Sequence, residues 1–274
     1  MTVTNSITMV VPTLGTRPAW LEDCLRSITT QHQANCRTIV VAPSAADLRF
    51  SDMFDIEVAR FDSEGLSSAV NYGWSLDPTS SYISWLGDDD LLAPESLSAT
   101  SSFLDRHPRS SMVFGRVRYI DAEGTALLIS RPTRFAAAYL RLGKNFVSQQ
   151  GSLIRRAAAA KVGYLDTQLV NAMDQDLFTR LRDAGPRAYL PRELGAFRWH
   201  AASITSLKGP MDESELVRQR YWDERQLSWY RAWRVCGRPL DWALVAAMRR
   251  LPIPAVPLRE GHPYTESTAF RKHP

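Results

Sequence analysis

Short apolar runs alternate with helix-period segments through the amino-terminal part of the chain, and this alternation restricts the fold more than any other feature of the sequence. Ile7 to Val11 is a run of apolar and branched residues ended by Pro12 and Gly15, which reads as a buried strand. A helix follows, with Thr16 as its cap, Pro18 in its first turn, and Leu21, Leu25 and Ile28 at helical spacing up to about Thr30. Thr38 to Val41 is a second strand, and Phe54, Ile56 and Val58 alternate as a third. Gly65 to Trp74 reads as a helix, Tyr82 to Leu86 as a strand that delivers Gly87-Asp88-Asp89-Asp90, and Pro94 opens a helix to about Leu104. This order predicts parallel βαβ units, in which ligands bind beyond the carboxyl ends of the strands. Thr13 to Arg17 and Asp88 to Asp90 are polar clusters at two such ends.

The pattern changes from Ser111 onward. Met112 to Phe114, Val117 to Ile120 and Leu127 to Ile129 read as short strands, the last two joined by a hairpin-like turn at Asp121 to Thr125. Asn171 to Asp183 reads as a helix with Asn171 as cap and Met173, Leu177 and Leu181 on one apolar stripe. Arg187 to Leu190 and Gly195 to Trp199 are further short strands. Past about Leu207 the composition turns to Arg and Trp, giving a long helix over Ser214 to Val235, a shorter one over Leu240 to Arg250, and a proline-containing tail from Pro252. The expected division is therefore an α/β domain over 1–207, in two halves at 1–110 and 111–207, then a helical extension over 208–274.

Composition excludes several classes. With 274 residues, 45% hydrophobic and 23% charged, the chain has ordinary globular make-up and length enough to build a core without disulfides or structural metals. A formal charge of +4 is too small and too dispersed to point to nucleic acid. Cys24, Cys36 and Cys236 are widely spaced, without a C-x-x-C pair, as in a reduced cytoplasmic protein. No signal-peptide pattern opens the chain, and no run reaches the roughly 18 apolar residues of a membrane span. No paired histidines at zinc-ligand spacing, P-loop or strand-bound G-x-G-x-x-G is found.

Asp88-Asp89-Asp90 carries the strongest chemical signal. Three adjacent carboxylates repel unless water screens them or a cation compensates them. Mg²⁺ and Mn²⁺ take carboxylate and phosphate oxygens together, so an acidic turn beyond a buried strand suits a metal that holds a diphosphate. Asp174 falls in the first turn of the predicted second-half helix, where the helix dipole favours a carboxylate even without a catalytic task. Asp176 competes with it and also stands at i,i+4 spacing from Arg180.

Val11-Pro12-Thr13-Leu14-Gly15-Thr16-Arg17, Gly65 to Gly73, Asp88 to Asp90 and Asp174 to Leu181, in that order, resemble the inverting family 2 glycosyltransferases of the GT-A type over Ser6 to Thr205. The resemblance implies a Rossmann-like, mixed but mainly parallel sheet flanked by helices, a nucleotide diphosphate sugar donor (UDP, dTDP or GDP) and a hydroxyl-bearing glycan, lipid or peptide acceptor. It places Pro12, Thr13, Gly15 and Arg17 at the nucleotide, Asn71 of the Asn-x-Gly helix near the donor, and Asp88 near the ribose or sugar. Asp89 or Asp90 would hold Mg²⁺ or Mn²⁺, Asp174 would be the general base, and Arg198 with His200 would reach the diphosphate or metal.

The chain departs from the family pattern at three points. Ala42-Pro43-Ser44 stands where the base-reading acidic segment occurs, Val70 replaces an Arg, and Met173 replaces the Glu before the catalytic Asp. These departures leave a catalytically silent sugar-nucleotide-binding domain as an alternative. A nucleotidyltransferase is the other, on the strength of Gly15-Thr16-Arg17. Gln149 and Gln150 read either as acceptor-side residues or as a polar edge strand. The Trp and Arg series of 218–234 reads either as packing against the domain or as a peripheral membrane face.

Overall fold

The computed structural model describes residues 6–48, 52–62, 65–200, 213–237, 239, 240 and 243. Its elements run β1 (Ile7–Pro12), α1 (Pro18–Thr29), β2 (Cys36–Ala42), β3 (Glu57–Arg60), α2 (Leu66–Ser75), β4 (Tyr82–Trp85), β5 (Leu91–Leu92), α3 (Ser96–Arg106), β6 (Met112–Ile120), β7 (Ala126–Ser130), α4 (Ala136–Tyr139), β8 (Leu153–Arg155), α5 (Arg156–Val162), α6 (Met173–Arg180), β9 (Arg187–Arg198), α7 (Glu213–Gln219) and α8 (Glu224–Cys236). The strands join in one mixed sheet, in the order β3-β2-β1-β4-β8-β6-β9-β5 with β7 beside β6. From β3 to β4 every pairing is parallel; β8 then runs antiparallel to both β4 and β6.

Alternation along the strands gives the sheet two apolar faces, as a fully covered sheet requires. Val10, Ile39 and Val41 face a core with Trp74 of α2, Ala158 of α5 and Leu177 and Phe178 of α6. Met9, Val11, Val40 and Ala42 face the other, with Leu21 and Leu25 of α1 and Leu97 and Leu104 of α3. Gly73 is where α2 lies hardest on β1: a Cβ there would stand 2.7 Å from Val10 Cγ2 and 3.0 Å from Val41 Cγ2. The glycine of the Asn-x-Gly motif thus lets a helix approach the sheet.

Several expected boundaries move, each for a physical reason. β6 and β9 are single strands where two pairs of short ones were expected. Their pairing is continuous apart from register shifts between Phe114 and Val117, where Arg116 lies opposite Glu193 and Leu190-Pro191-Arg192 is looped past. Gly115 permits the shift, since a Cβ there would stand 2.6 Å from the Arg192 carbonyl oxygen. Leu91–Leu92 adds an unexpected strand on β9. The third strand begins at Glu57, after Phe54 and Ile56, whose side chains instead pack on the α1–α3 core. No side chain caps α1, so Thr16 lacks the expected role. Asn171 does not cap α6 either, and the helix gives way to a 3-10 turn over Leu181–Ala184.

The expected long C-terminal helix is two helices broken at Arg220 to Asp223, where Asp223 caps α8 by accepting from the Gln226 N–H at 2.8 Å. Its tryptophans pack inward in part: the Trp222 and Trp233 indole N–H groups donate to the Arg141 and Leu142 carbonyls at 3.3 and 3.1 Å, while Trp229 stays exposed. Among the described residues no helix is long and apolar enough to cross a membrane. The Leu240–Arg250 helix, apart from Leu240 and Ala243, falls outside the described residues, as do the tail from Pro252 and the boundary at 207.

Because Val10 and Val41 are short branched side chains in the sheet, they cannot swing aside for an added methyl. Gly73→Ala is expected to destabilise the chain by about 1–3 kcal/mol, read by urea denaturation. Unchanged stability would mean that α2 shifts freely on the sheet.

Candidate active site

Beyond the carboxyl end of β4 the chain turns sharply, the Asp90 N–H donating to the Gly87 carbonyl at 3.0 Å, and three carboxylates leave in different directions. Asp88 accepts from the Thr13 hydroxyl at 2.6 Å and from the Arg17 guanidinium at 2.8 Å. The other Arg17 nitrogen donates to Asp89 Oδ2 at 2.7 Å, and His200 Nε2 lies 2.8 Å from the same oxygen. Asp90 turns inward, accepting from the Gln150 amide at 2.7 Å and from the Arg198 backbone N–H at 2.9 Å. Burial lifts the Asp88 carboxyl, against the lowering effects of Thr13 and Arg17. Burial, then the charge of Asp89, lifts Asp90 well above the usual carboxylate range.

Arg17, Asp88 and Asp89 form one end of a cleft of about 480 Å³, a size suited to a small ligand. Its walls include Pro12, Thr13 and Leu14 after β1, Ala42 and Pro43 after β2, Phe61 after β3, Leu66 and Ala69 of α2, and Asp174 at the start of α6. Asp174 is partly exposed there. It accepts from the Gln175 N–H at 2.6 Å and the Asn145 amide at 3.2 Å. Burial, only partly offset by these bonds, pushes its carboxyl up to about 6. Two carboxylate sites far apart in sequence thus share one cavity.

Other predicted residues are employed differently. Asn71 does not line the cleft: its amide is spent on the backbone of Leu165, donating to the carbonyl at 2.9 Å and accepting from the N–H at 3.2 Å. Arg198 is buried behind the acidic turn, donating to the Asp89 carbonyl at 2.9 Å and the Ala122 carbonyl at 3.0 Å, with its guanidinium over the Trp20 ring. Gly15 shapes the loop with φ +72° and donates its N–H to the Thr13 hydroxyl at 3.0 Å, but is not a wall residue. Asp176 is withdrawn from competition, held by Arg180 at 2.8 Å and by the Tyr221 hydroxyl at 2.9 Å. Gln149 and Gln150 form a turn rather than an edge strand and spend their amides on the Trp85 carbonyl and on Asp90.

Sequence reasoning missed Asn145, Phe61, Leu66 and Trp85. Asn145 carried no signal because its contact with Asp174 crosses 29 positions. Phe61 had one: it directly follows β3, at the end of a parallel strand where ligands collect. It stacks on Tyr72 of α2 with centroids 4.2 Å apart.

For a divalent cation the donor set is thin but chemically suitable. Among the described residues no group of three or more His, Cys, Asp or Glu converges as a metal site. Asp89 and His200 are in direct contact, while both oxygens of Asp90 are engaged by Gln150 and the Arg198 backbone N–H. A carboxylate and an imidazole fit Mg²⁺ or Mn²⁺ where diphosphate oxygens and water complete the coordination. In the chain as it stands Arg17 supplies the compensating positive charge.

A carboxyl raised from the ordinary 3.8 to about 6 binds its proton more tightly in the native than in the unfolded state, so its ionised form costs stability at neutral pH. Asp174→Asn is expected to be more stable than the wild type at pH 8, on the order of 1–3 kcal/mol, converging with it below about pH 4. Urea titrations at both pH values check this, and a wild type that is the more stable at pH 8 would refute it.

The sequence model of the family described as Glycosyl transferase family 2 matches residues 8–163. Curated relatives include the uncharacterized protein Rv1520 of Mycobacterium tuberculosis and its Mycobacterium bovis counterpart Mb1547. Each is 28% identical over 144 residues, 51% of this chain and 38% of theirs, so the match spans well under half of those proteins. Among solved structures, TarS of S. aureus in complex with UDP-GlcNAc superposes with a TM-score of 0.59 at 14% identity, covering 77% of this chain and 64% of the TarS chain. The mannosyltransferase PcManGT of Pyrobaculum calidifontis, in complex with GDP-Man and Mn²⁺, gives 0.52 at 16% identity, covering 72% and 57%. The sheet with its two helical layers is thus the GT-A architecture, and this chain belongs to glycosyltransferase family 2.

Proposed function

We propose that the chain transfers a sugar, with inversion, from a nucleotide diphosphate donor to an acceptor hydroxyl in the assembly of a polysaccharide, glycolipid or glycopeptide. The observation that carries this reading is the single cleft holding a charge-compensated acidic turn at one end and Asp174, raised to about 6, on another wall. The donors in the TarS and PcManGT complexes, UDP-GlcNAc and GDP-Man, support a nucleotide-sugar in this cleft.

In the proposed reaction the acceptor oxygen attacks the anomeric carbon. The bond from that carbon to the diphosphate oxygen breaks, its electron pair stays with the diphosphate, and the hydroxyl proton passes to an Asp174 oxygen. A single in-line displacement inverts the anomeric centre. A base near 6 is better matched to neutral pH than an ordinary carboxylate, because it accepts a proton with more driving force yet remains largely ionised. Asn145 holds its carboxylate against rotation. Thr13 and Arg17 face the diphosphate end, and Arg17 is free to pair there with phosphate oxygens if it leaves Asp88 and Asp89. Asp89 and His200 would hold Mg²⁺ or Mn²⁺, which as a Lewis acid would stabilise the leaving diphosphate.

Two experiments test the proposal. UDP, dTDP or GDP with Mn²⁺ should raise the melting temperature, and the nucleotide that does so names the donor class. With the matching sugar donor, Asp174→Asn should lower kcat by about 100-fold or more while nucleotide affinity stays at the wild-type value, and wild-type kcat should fall on the acid side with a midpoint near pH 6. Nucleotide binding without turnover in the wild type would leave a silent binding domain instead, and pyrophosphate release from a nucleoside triphosphate would mark a nucleotidyltransferase.

A further inference from the structure

The start of α6, which carries Asp174, has no cap of its own: the residue before it is Ala172, and no side chain from the preceding loop bonds to its free N–H groups. Those groups must still be satisfied, since helix N-terminal donors have no partner within the helix. Within the first turn the Gln175 N–H is taken by Asp174 itself, and the chain leading into the helix is held from beyond the sheet domain. Glu213, the first residue of α7, places one carboxylate oxygen 2.6 Å from the Asn171 N and 3.0 Å from the Ala172 N, and both its oxygens lie within 3.1–3.2 Å of the Val170 N. Three consecutive backbone N–H groups thus converge on one side chain.

The same segment is a wall of the cleft: Val170, Asn171, Met173 and Asp174 all line it. Glu213 therefore grips the backbone of the wall that presents the carboxylate. Its helix is itself anchored, with Val217 buried in the α2–α6 core and the Tyr221 hydroxyl donating to Asp176 at 2.9 Å. Arg220 donates to Asp166 at 2.8 Å.

From this geometry we infer that Glu213 is a positioning residue for Asp174, and that the segment after the sheet domain completes the active site by clamping the 170–174 wall. The inference rests on the reading of Asp174 as the general base. Asp174 owes its raised carboxyl to burial. The charged groups around it are Arg17, Asp88 and Asp89 across the cleft, Asp176 on its own helix paired with Arg180 and near Arg220, and Glu213 behind the wall. A wall that is no longer clamped lets Asp174 gain water, and its carboxyl relaxes downward toward the ordinary range.

The test uses the whole chain with Glu213→Ala, and with Glu213→Gln, which keeps an acceptor oxygen. In Glu213→Ala, amide hydrogen exchange over 170–174 should be several-fold faster, kcat should fall by about tenfold, and the acid midpoint of kcat should move to lower pH. Nucleotide affinity should stay at the wild-type value. Glu213→Gln should recover most of the exchange protection and of kcat, and it carries the test if the alanine variant does not fold. Exchange unchanged in Glu213→Ala would overturn the clamp. Faster exchange with an unmoved acid midpoint, or a loss of nucleotide affinity equal to the loss in kcat, would overturn the positioning role. A wild type that transfers no sugar, with exchange still faster in the variant, would refute the reading of Asp174 and leave the clamp a purely structural contact.

Discussion

Keeping three adjacent carboxylates in one tight turn is the constraint around which the rest of this fold is arranged. Unaided, their mutual repulsion in a partly dry cleft would cost several kcal/mol. The chain distributes the compensation over distant elements: Thr13 and Arg17 from the loop after β1, Gln150 from the turn before β8, and the backbone of Arg198 with the ring of His200 from the end of β9. The acidic turn thereby ties the parallel half of the sheet to the mixed half. A change in any one partner reaches the others through the shared charge, so these residues form a coupled set rather than a list of independent contacts.

This arrangement also separates the three aspartates by task. Asp90 is the most buried of the three: it touches the cleft, but both of its oxygens accept from the protein, from the Gln150 amide and the Arg198 backbone N–H. Asp88 and Asp89 face Arg17, whose side chain is about one-third exposed. A cation with that exposure can exchange partners at modest cost, because solvent screens it while it moves. The turn can therefore pass its charge compensation from the protein to a ligand without unfolding the site.

The strand and helix alternation made the parallel half legible, because β1, β2 and β4 are near-continuous apolar runs closed by proline or glycine. It failed where pairing rather than pattern sets the element: β6 and β9 carry Gly115 and Pro191 inside continuous strands, which single-sequence punctuation reads as ends. Of the residues singled out by type, Asp88, Asp89 and Asp174 line the cleft, while Asn71 and Arg198 do not. Both are polar side chains that satisfy buried backbone groups, at Leu165 and at Asp89. Nothing in their spacing separates that use from ligand binding. Asn171 was expected to cap α6 because it is the nearest residue able to serve, whereas no side chain caps that helix and the Asn171 N–H is itself held by Glu213, 42 positions away.

The lining of the cleft is uneven in polarity, and the unevenness bears on Asp174. Val41, Ala42, Pro43, Phe61, Leu66, Ala69 and Met173 make one side apolar, opposite the charged residues Arg17, Asp88 and Asp89. Such lining suits a planar, weakly solvated group, and under the proposed function it would leave the diphosphate to the charged end. The same lining surrounds Asp174, and burial is the first cause of its raised carboxyl. The replacement of a charged residue by Met173 beside Asp174 works in the same direction, since an apolar neighbour adds to desolvation where a second carboxylate would have added repulsion. The proton affinity of Asp174 thus follows from its burial, to which side chains that carry no proton chemistry themselves contribute.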